Sequence, residues 1–245
     1  MPDLFLSRLT LNLRSRDTQR LLGDCHAMHR LVMSGFPDVP EGPARQALGV
    51  LYRVEERPER HSAQVFIQSA QAPAWAFETR DIGVEGPRSL DPLLAKVAAG
   101  ARFRFRLRAN PTRRVHERSA QGPEAREQAS AVGKRVPLRR EDDRLAWLAR
   151  KGEDAGFALL TVTVSGGVDA ESRTSASASN ARADPGERLR GRQGFEGGVR
   201  NLDFESCLFE GVLEVRDSGR LAAAVRAGVG PAKAFGMGLL SLAPV

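Results

Sequence analysis

Arg102-Phe103-Arg104-Phe105-Arg106-Leu107-Arg108 alternates a cation with an apolar side chain at every step. Successive residues of a β-strand point to opposite faces, so this run predicts a strand with one apolar and one charged face. Upstream, residues 90–99 read as a short helix entered at Asp91-Pro92 and ended by Gly100. Residues 44–55 and 63–70 predict two strands about the polar turn 56–60. Before them, Asp24 suits the N-cap of a helix running to about residue 34, with Cys25, Met28 and Val32 on one face. A helical turn over 17–22, stopped at Gly23, precedes it, and residues 4–13 open the chain as a strand in which Leu9, Leu11 and Leu13 alternate. The order strand, helix, strand, strand, helix, strand predicts the split βαβ of a ferredoxin-like domain over residues 1–112, with 102–108 as its last strand.

Downstream the theme repeats. Residues 141–155 form an amphipathic helical pattern with Leu145, Trp147 and Leu148, ended by Gly156 before a strand over 157–165. Residues 199–204 and 208–215 read as strands, 221–227 as a helix and 239–242 as a closing strand. The expected architecture is α+β, two tandem ferredoxin-like (RRM-like) domains, the second spanning 134–245 after a basic linker over 113–133. Residues 166–198 are rich in Ser, Ala, Gly, Arg and Asp, almost without large apolar side chains, and are expected to form a mobile insert.

The net charge of +7 is unevenly placed. Residues 101–150 hold 14 Lys and Arg against 6 Asp and Glu, whereas the rest of the chain holds 23 against 24. So local an excess points to a polyanion-binding face. No apolar stretch approaches the roughly 20 residues needed to span a bilayer, which favours nucleic acid over membrane as the partner. Aromatic residues make up only 6%, and the opening strand lacks the stacking aromatics of single-strand binders, so a hairpin stem, read through phosphates and 2′-hydroxyls, is expected. Arg113, Arg114, Lys134, Arg135, Arg139 and Arg140 are the candidate stem contacts, while the arginines of 102–108 read equally well as a solvated strand face. Two cysteines, Cys25 and Cys207, and no signal peptide before Met1-Pro2-Asp3 predict a reduced, cytoplasmic protein.

Two of the four histidines, His26 and His29, lie three residues apart at the start of the predicted helix. That spacing brings side chains to roughly 5–6 Å, suited to flanking one phosphate, and a helix start offers free N–H groups to an anion. The pair suits general acid–base cleavage of RNA; two plain surface histidines fit the spacing as well. A zinc site has no second ligand pair beyond the distant Cys207. At the C-terminus, Gly228, Gly230, Gly236 and Gly238 surround Lys233. This run is either a structural turn or a loop whose N–H groups and lysine cradle phosphates.

Four segments occur in an order that resembles a known family: Met28-His29-Arg30 after the capped turn, 104–111 (RFRLRANP), 133–138 (GKRVPL) and 228–240 (GVGPAKAFGMGLL). The chain closely resembles, over residues 6–244 apart from the insert, the CasE family, the CRISPR RNA-processing endoribonuclease of the type I-E Cascade complex. The resemblance implies metal-independent cleavage of repeat RNA at the base of its stem-loop, leaving a 2′,3′-cyclic phosphate. It also implies that the product is retained alongside other Cascade subunits, with no small-molecule cofactor. Family members carry the catalytic histidine at the position of His29. Many have a tyrosine three residues earlier, where this chain has His26 and where its single tyrosine, Tyr52, is not. A non-catalytic hairpin-binding subunit of the same complex is the alternative that the missing tyrosine leaves open.

Overall fold

The computed structural model describes residues 4–40, 42–77, 79–115, 133–165, 188–195 and 198–245. Strand β1 (Phe5–Asn12) leads into helices α1 (Arg16–Gly23) and α2 (Cys25–Met33). The one-turn helix α3 (Ala44–Ala47), strands β2 (Leu51–Arg57), β3 (Ser62–Ser69) and β4 (Ile82–Ser89), and the one-turn helix α4 (Asp91–Leu94) follow. The first sheet has the antiparallel order β2-β3-β1-β4. Leu9, Leu11, Val65 and Ile67 on its inner face pack against Met28 and Val32 of α2, closing a core of their own. The cap of α2 is as expected: the Asp24 carboxylate accepts from the N–H groups of His26 and Ala27 at 2.9 and 3.2 Å.

The run 102–108 does form a strand, β5 (Arg102–Ala109), but in the other sheet. After it come β6 (Thr112–Arg114), β7 (Arg135–Pro137), α5 (Glu141–Asp154), β8 (Phe157–Ser165), β9 (Arg188–Phe195), β10 (Gly198–Glu205), β11 (Cys207–Val215), α6 (Ser218–Ala227) and β12 (Leu240–Pro244). The second sheet runs β12-β5-β11-β8, so β5 is the first strand of the second ferredoxin-like unit, not the last of the first. The boundary expected at 112 therefore falls before Arg102. The true fourth strand of the first sheet, β4, is an edge strand exposed along almost its whole length; with neither face buried, it needs no apolar alternation to announce it.

Two hairpins are inserted into the second unit. Strands β6 and β7 pair with each other, placing Arg113 and Arg114 in ordered structure rather than in a linker. Strands β9 and β10 pair over their full length, so residues 188–195 are an ordered strand. Residues 166–187 of the expected insert, and 116–132 of the expected linker, lie outside the described residues.

The units meet through a buried ionic network. Arg53, 4% exposed, donates to Glu55 at 2.9 Å and to Ser241 Oγ at 2.9 Å. Arg106 donates to Glu55 at 2.6 Å and to Glu210 at 2.7 Å. Burial alone would raise the Glu55 carboxyl, but Arg53 and Arg106 outweigh it and hold it below the usual carboxylate range. The arginines of β5 are thus not a uniformly solvated face: Arg106 bridges to the first sheet and Arg108 is buried.

Gly211 in β11 faces the partner strand β8 so closely that a Cβ there would collide with the Thr161 carbonyl oxygen. Backbone cannot yield as a flexible side chain does. Gly211→Ala is therefore expected to lower stability by at least about 1–3 kcal/mol, read as a lower denaturation midpoint; an unchanged midpoint would contradict this packing.

Candidate active site

His26 and His29 stand together on α2 with ring centroids 6.5 Å apart. They lie off the apolar face, because Cys25, Met28 and Val32 take the buried side of the same helix. The glycine-rich segment reaches them from the second unit: the Phe235 ring meets His29 edge-on at 6.2 Å. Phe235 in turn stacks on Phe204 of β10 at 5.0 Å. The site is built between the two units, which places His29 beside residues two hundred positions away in sequence.

The His29 ring is shifted below the ordinary histidine value. Burial is the main cause, His26 and Arg45 add to it, and the Ala234 carbonyl opposes it. Its Nδ1 is buried without a hydrogen-bond partner. Lys233 is likewise lowered, by burial and then by Arg45. Arg45, anchored by donating to the Val50 carbonyl at 2.9 Å, therefore acts electrostatically on both. Sequence reading missed Arg45, since α3 is a single turn in a region that reads as strand. Among the described residues no group of three or more His, Cys, Asp or Glu is arranged to hold a metal ion. Cys25 and Cys207 are free and buried, with their thiols pushed up by burial to about 11 and about 12.

Two sequence expectations for anion binding change here. The start of α2 is not an open anion site: Asp24 occupies its N–H groups and Gly191 of β9 packs onto them, leaving no room for a Cβ, which would meet Asp24 Oδ1 at 2.7 Å. In the glycine segment, the N–H groups of Gly228, Val229, Phe235 and Gly238 are already bonded to carbonyls of Ala224, Gly238, Ala232 and Arg108. Gly228, Gly230, Gly236 and Gly238 all have positive φ, a backbone conformation that favours glycine. A Cβ on Gly228 would meet Leu51 at 2.8 Å, and one on Gly236 would meet Tyr52 at 3.1 Å. These glycines shape the segment so that Phe235 reaches His29.

Tyr52 does not stand in for the family tyrosine beside His29. It is buried in the first core beneath the segment, and its hydroxyl donates to the Ala234 carbonyl at 3.1 Å. It holds the segment in place, and the position next to His29 belongs to His26.

The basic side chains expected to meet a stem divide. Arg113, Arg114, Lys134 and Arg135 are exposed on or beside the β6–β7 hairpin, with Arg114 opposite Arg135. Like charges facing each other across a hairpin are destabilising on their own, so this placement suits an anionic partner. Arg114, Arg135, Lys151, Arg220 and Lys233 line an open groove of about 850 Å³ running from the hairpin to the glycine segment. Arg139 is committed to Glu205 at 2.9 Å, and Arg140 is the exposed residue before α5.

The family model described as CRISPR associated protein matches residues 4–244. The chain is 34% identical to the CRISPR-associated endoribonuclease Cse3 of Thermus thermophilus, covering 98% of this chain and 100% of that protein. It is 28% identical to the CRISPR system Cascade subunit CasE of Escherichia coli, covering 91% and 93%. The structure of a CRISPR endoribonuclease Cse3 bound to a 19-nucleotide RNA superposes with a TM-score of 0.72 at 31% identity, covering 98% of this chain and 100% of that one.

Proposed function

The chain belongs to the CasE family of CRISPR-associated proteins, and we propose that it is a metal-independent endoribonuclease that cuts CRISPR repeat RNA at the base of its stem-loop. The observation that carries this reading is the histidine pair, 6.5 Å apart, with Arg45 acting electrostatically on His29 and on Lys233 of the glycine segment. His29, whose lowered pKa keeps its ring neutral, takes the proton of the 2′-hydroxyl. The 2′-oxygen attacks phosphorus, the bond to the 5′-oxygen breaks, and His26 protonates that leaving oxygen. Lys233 and Arg45 offset the charge that builds on the phosphoryl oxygens, a task that a metal ion would perform elsewhere. The products are a 2′,3′-cyclic phosphate and a 5′-hydroxyl.

The stem lies along the groove between the β6–β7 hairpin and Lys233, and the cut RNA stays bound in a cytoplasmic Cascade assembly. No helix among the described residues is long and apolar enough to cross a membrane. Incubating the protein with a repeat hairpin in EDTA tests the central claim. Cut RNA is expected; hairpin that is bound but left whole would make this a binding subunit only.

If the hairpin grips phosphates, Arg114→Ala with Arg135→Ala should flatten the dependence of log affinity on log salt by roughly 0.7–0.9 for each phosphate no longer neutralised. Arg139→Ala should change it less, because Glu205 already neutralises that guanidinium. An equal slope in wild type and the double variant would place the stem elsewhere.

A further inference from the structure

We propose that a second groove, bordering the glycine segment, is a subsite for one unpaired nucleobase next to the scissile bond. The proposal rests on the endoribonuclease reading above and specifies what that site holds besides the stem. The groove, about 730 Å³, lies between the β6–β7 and β9–β10 hairpins and is lined by Asn110, Phe204, Phe235, Lys134, Arg139 and Arg200. One wall is the stacked pair Phe204–Phe235, with rings 25° from parallel. Phe235 is also the ring that meets His29, so the groove begins one side chain away from the imidazole.

Asn110 also lines the groove and is 8% exposed, and its Oδ1 has no hydrogen-bond partner. A buried acceptor left unpaired is costly, and a ligand N–H would satisfy it. The acidic side chains there, Asp203 and Glu205, are matched by Arg188 and Arg139. With both carboxylates paired, the exposed Lys134 and Arg200 suit phosphates at the rim. Aromatic wall, unpaired amide oxygen and basic rim together are the recognition chemistry of a splayed base: stacking, an edge contact, and a backbone held outside.

The test uses the full-length protein and a repeat hairpin RNA in which each unpaired nucleotide flanking the cut is made abasic in turn. Affinity and single-turnover cleavage are measured for wild type, Asn110→Ala and Phe204→Leu. One abasic position is expected to weaken wild-type binding about 10-fold, as loss of a stacked base does. At that position the abasic change should cost each variant less than it costs wild type. Losses that simply add at every position, or no sensitive position at all, overturn the subsite. If Asn110→Ala does not fold, Phe204→Leu on the partly exposed hairpin decides by the same criterion. Wild type that neither binds nor cuts the unmodified hairpin overturns the endoribonuclease reading and the subsite together. Normal cutting with additive losses overturns the subsite alone.

Discussion

His29→Ala is expected to slow single-turnover cleavage of the repeat hairpin by about 10²-fold or more while leaving hairpin affinity nearly unchanged. The ring sits between His26 and Phe235 rather than on the basic groove, so removing it takes away proton transfer and leaves the stem contacts. Its pH signature follows from the direction of its shift. Burial, His26 and Arg45 lower the value below 6.5, so the neutral base forms as pH rises through a point beneath the ordinary histidine range. The rising limb of kcat/KM, which reports the free enzyme, should therefore lie below pH 6.5. His26→Tyr removes a charge that lowers His29, so that limb should move to higher pH while activity is retained. Cleavage by His29→Ala at the wild-type rate would remove His29 from the mechanism. A wild-type profile in His26→Ala would make His26 a bystander and move the search for the proton donor to Lys233.

The second large effect is on the substrate. A hairpin with 2′-deoxyribose immediately before the cut should bind normally and resist cleavage altogether, because the attacking oxygen is gone. The ordinary RNA should yield a 2′,3′-cyclic phosphate and a 5′-hydroxyl, resolved by mass spectrometry, with and without EDTA. The cationic setting of His29 and Lys233, both influenced by Arg45, supports this route over one with activated water. Cleavage of the deoxy substrate at the ordinary rate would establish hydrolysis by water and refute attack by the RNA itself.

Local periodicity alone was enough to reveal most elements. Asp24 before Cys25-His26 marked the start of α2, and its 3.6-residue pattern set Cys25, Met28 and Val32 inwards. The alternation in 102–108 marked β5, and the positive excess around it marked exposed arginines, although these stand on a hairpin and not in the expected linker. The four ordered segments led to the CasE family, with which the whole-chain match agrees. Where the sequence was quiet, as in the exposed edge strand β4 or the polar strand β9, pairing rather than side-chain burial makes the strand.

What the tertiary structure alone decided is which distant residues meet. Alternation says that β5 has an inner face, but not that its neighbours are β11 and β12 rather than β1, since any antiparallel partner satisfies the same period of two. The same limit hid the site. Nothing near His29 in sequence announces Arg45, which the first unit's own fold brings in, or Phe235 and the Ala234 carbonyl, which arrive through the docking of two units held by Arg53, Glu55 and Arg106. Of the glycines that read as a phosphate cradle, Gly228 and Gly238 have N–H groups already bonded, to Ala224 and Arg108, and a helix start that reads as an anion site is filled by its own Asp24. Composition and spacing determine which groups are available for chemistry; only the folded chain determines which N–H groups are already taken and which side chains stand within reach of one phosphate.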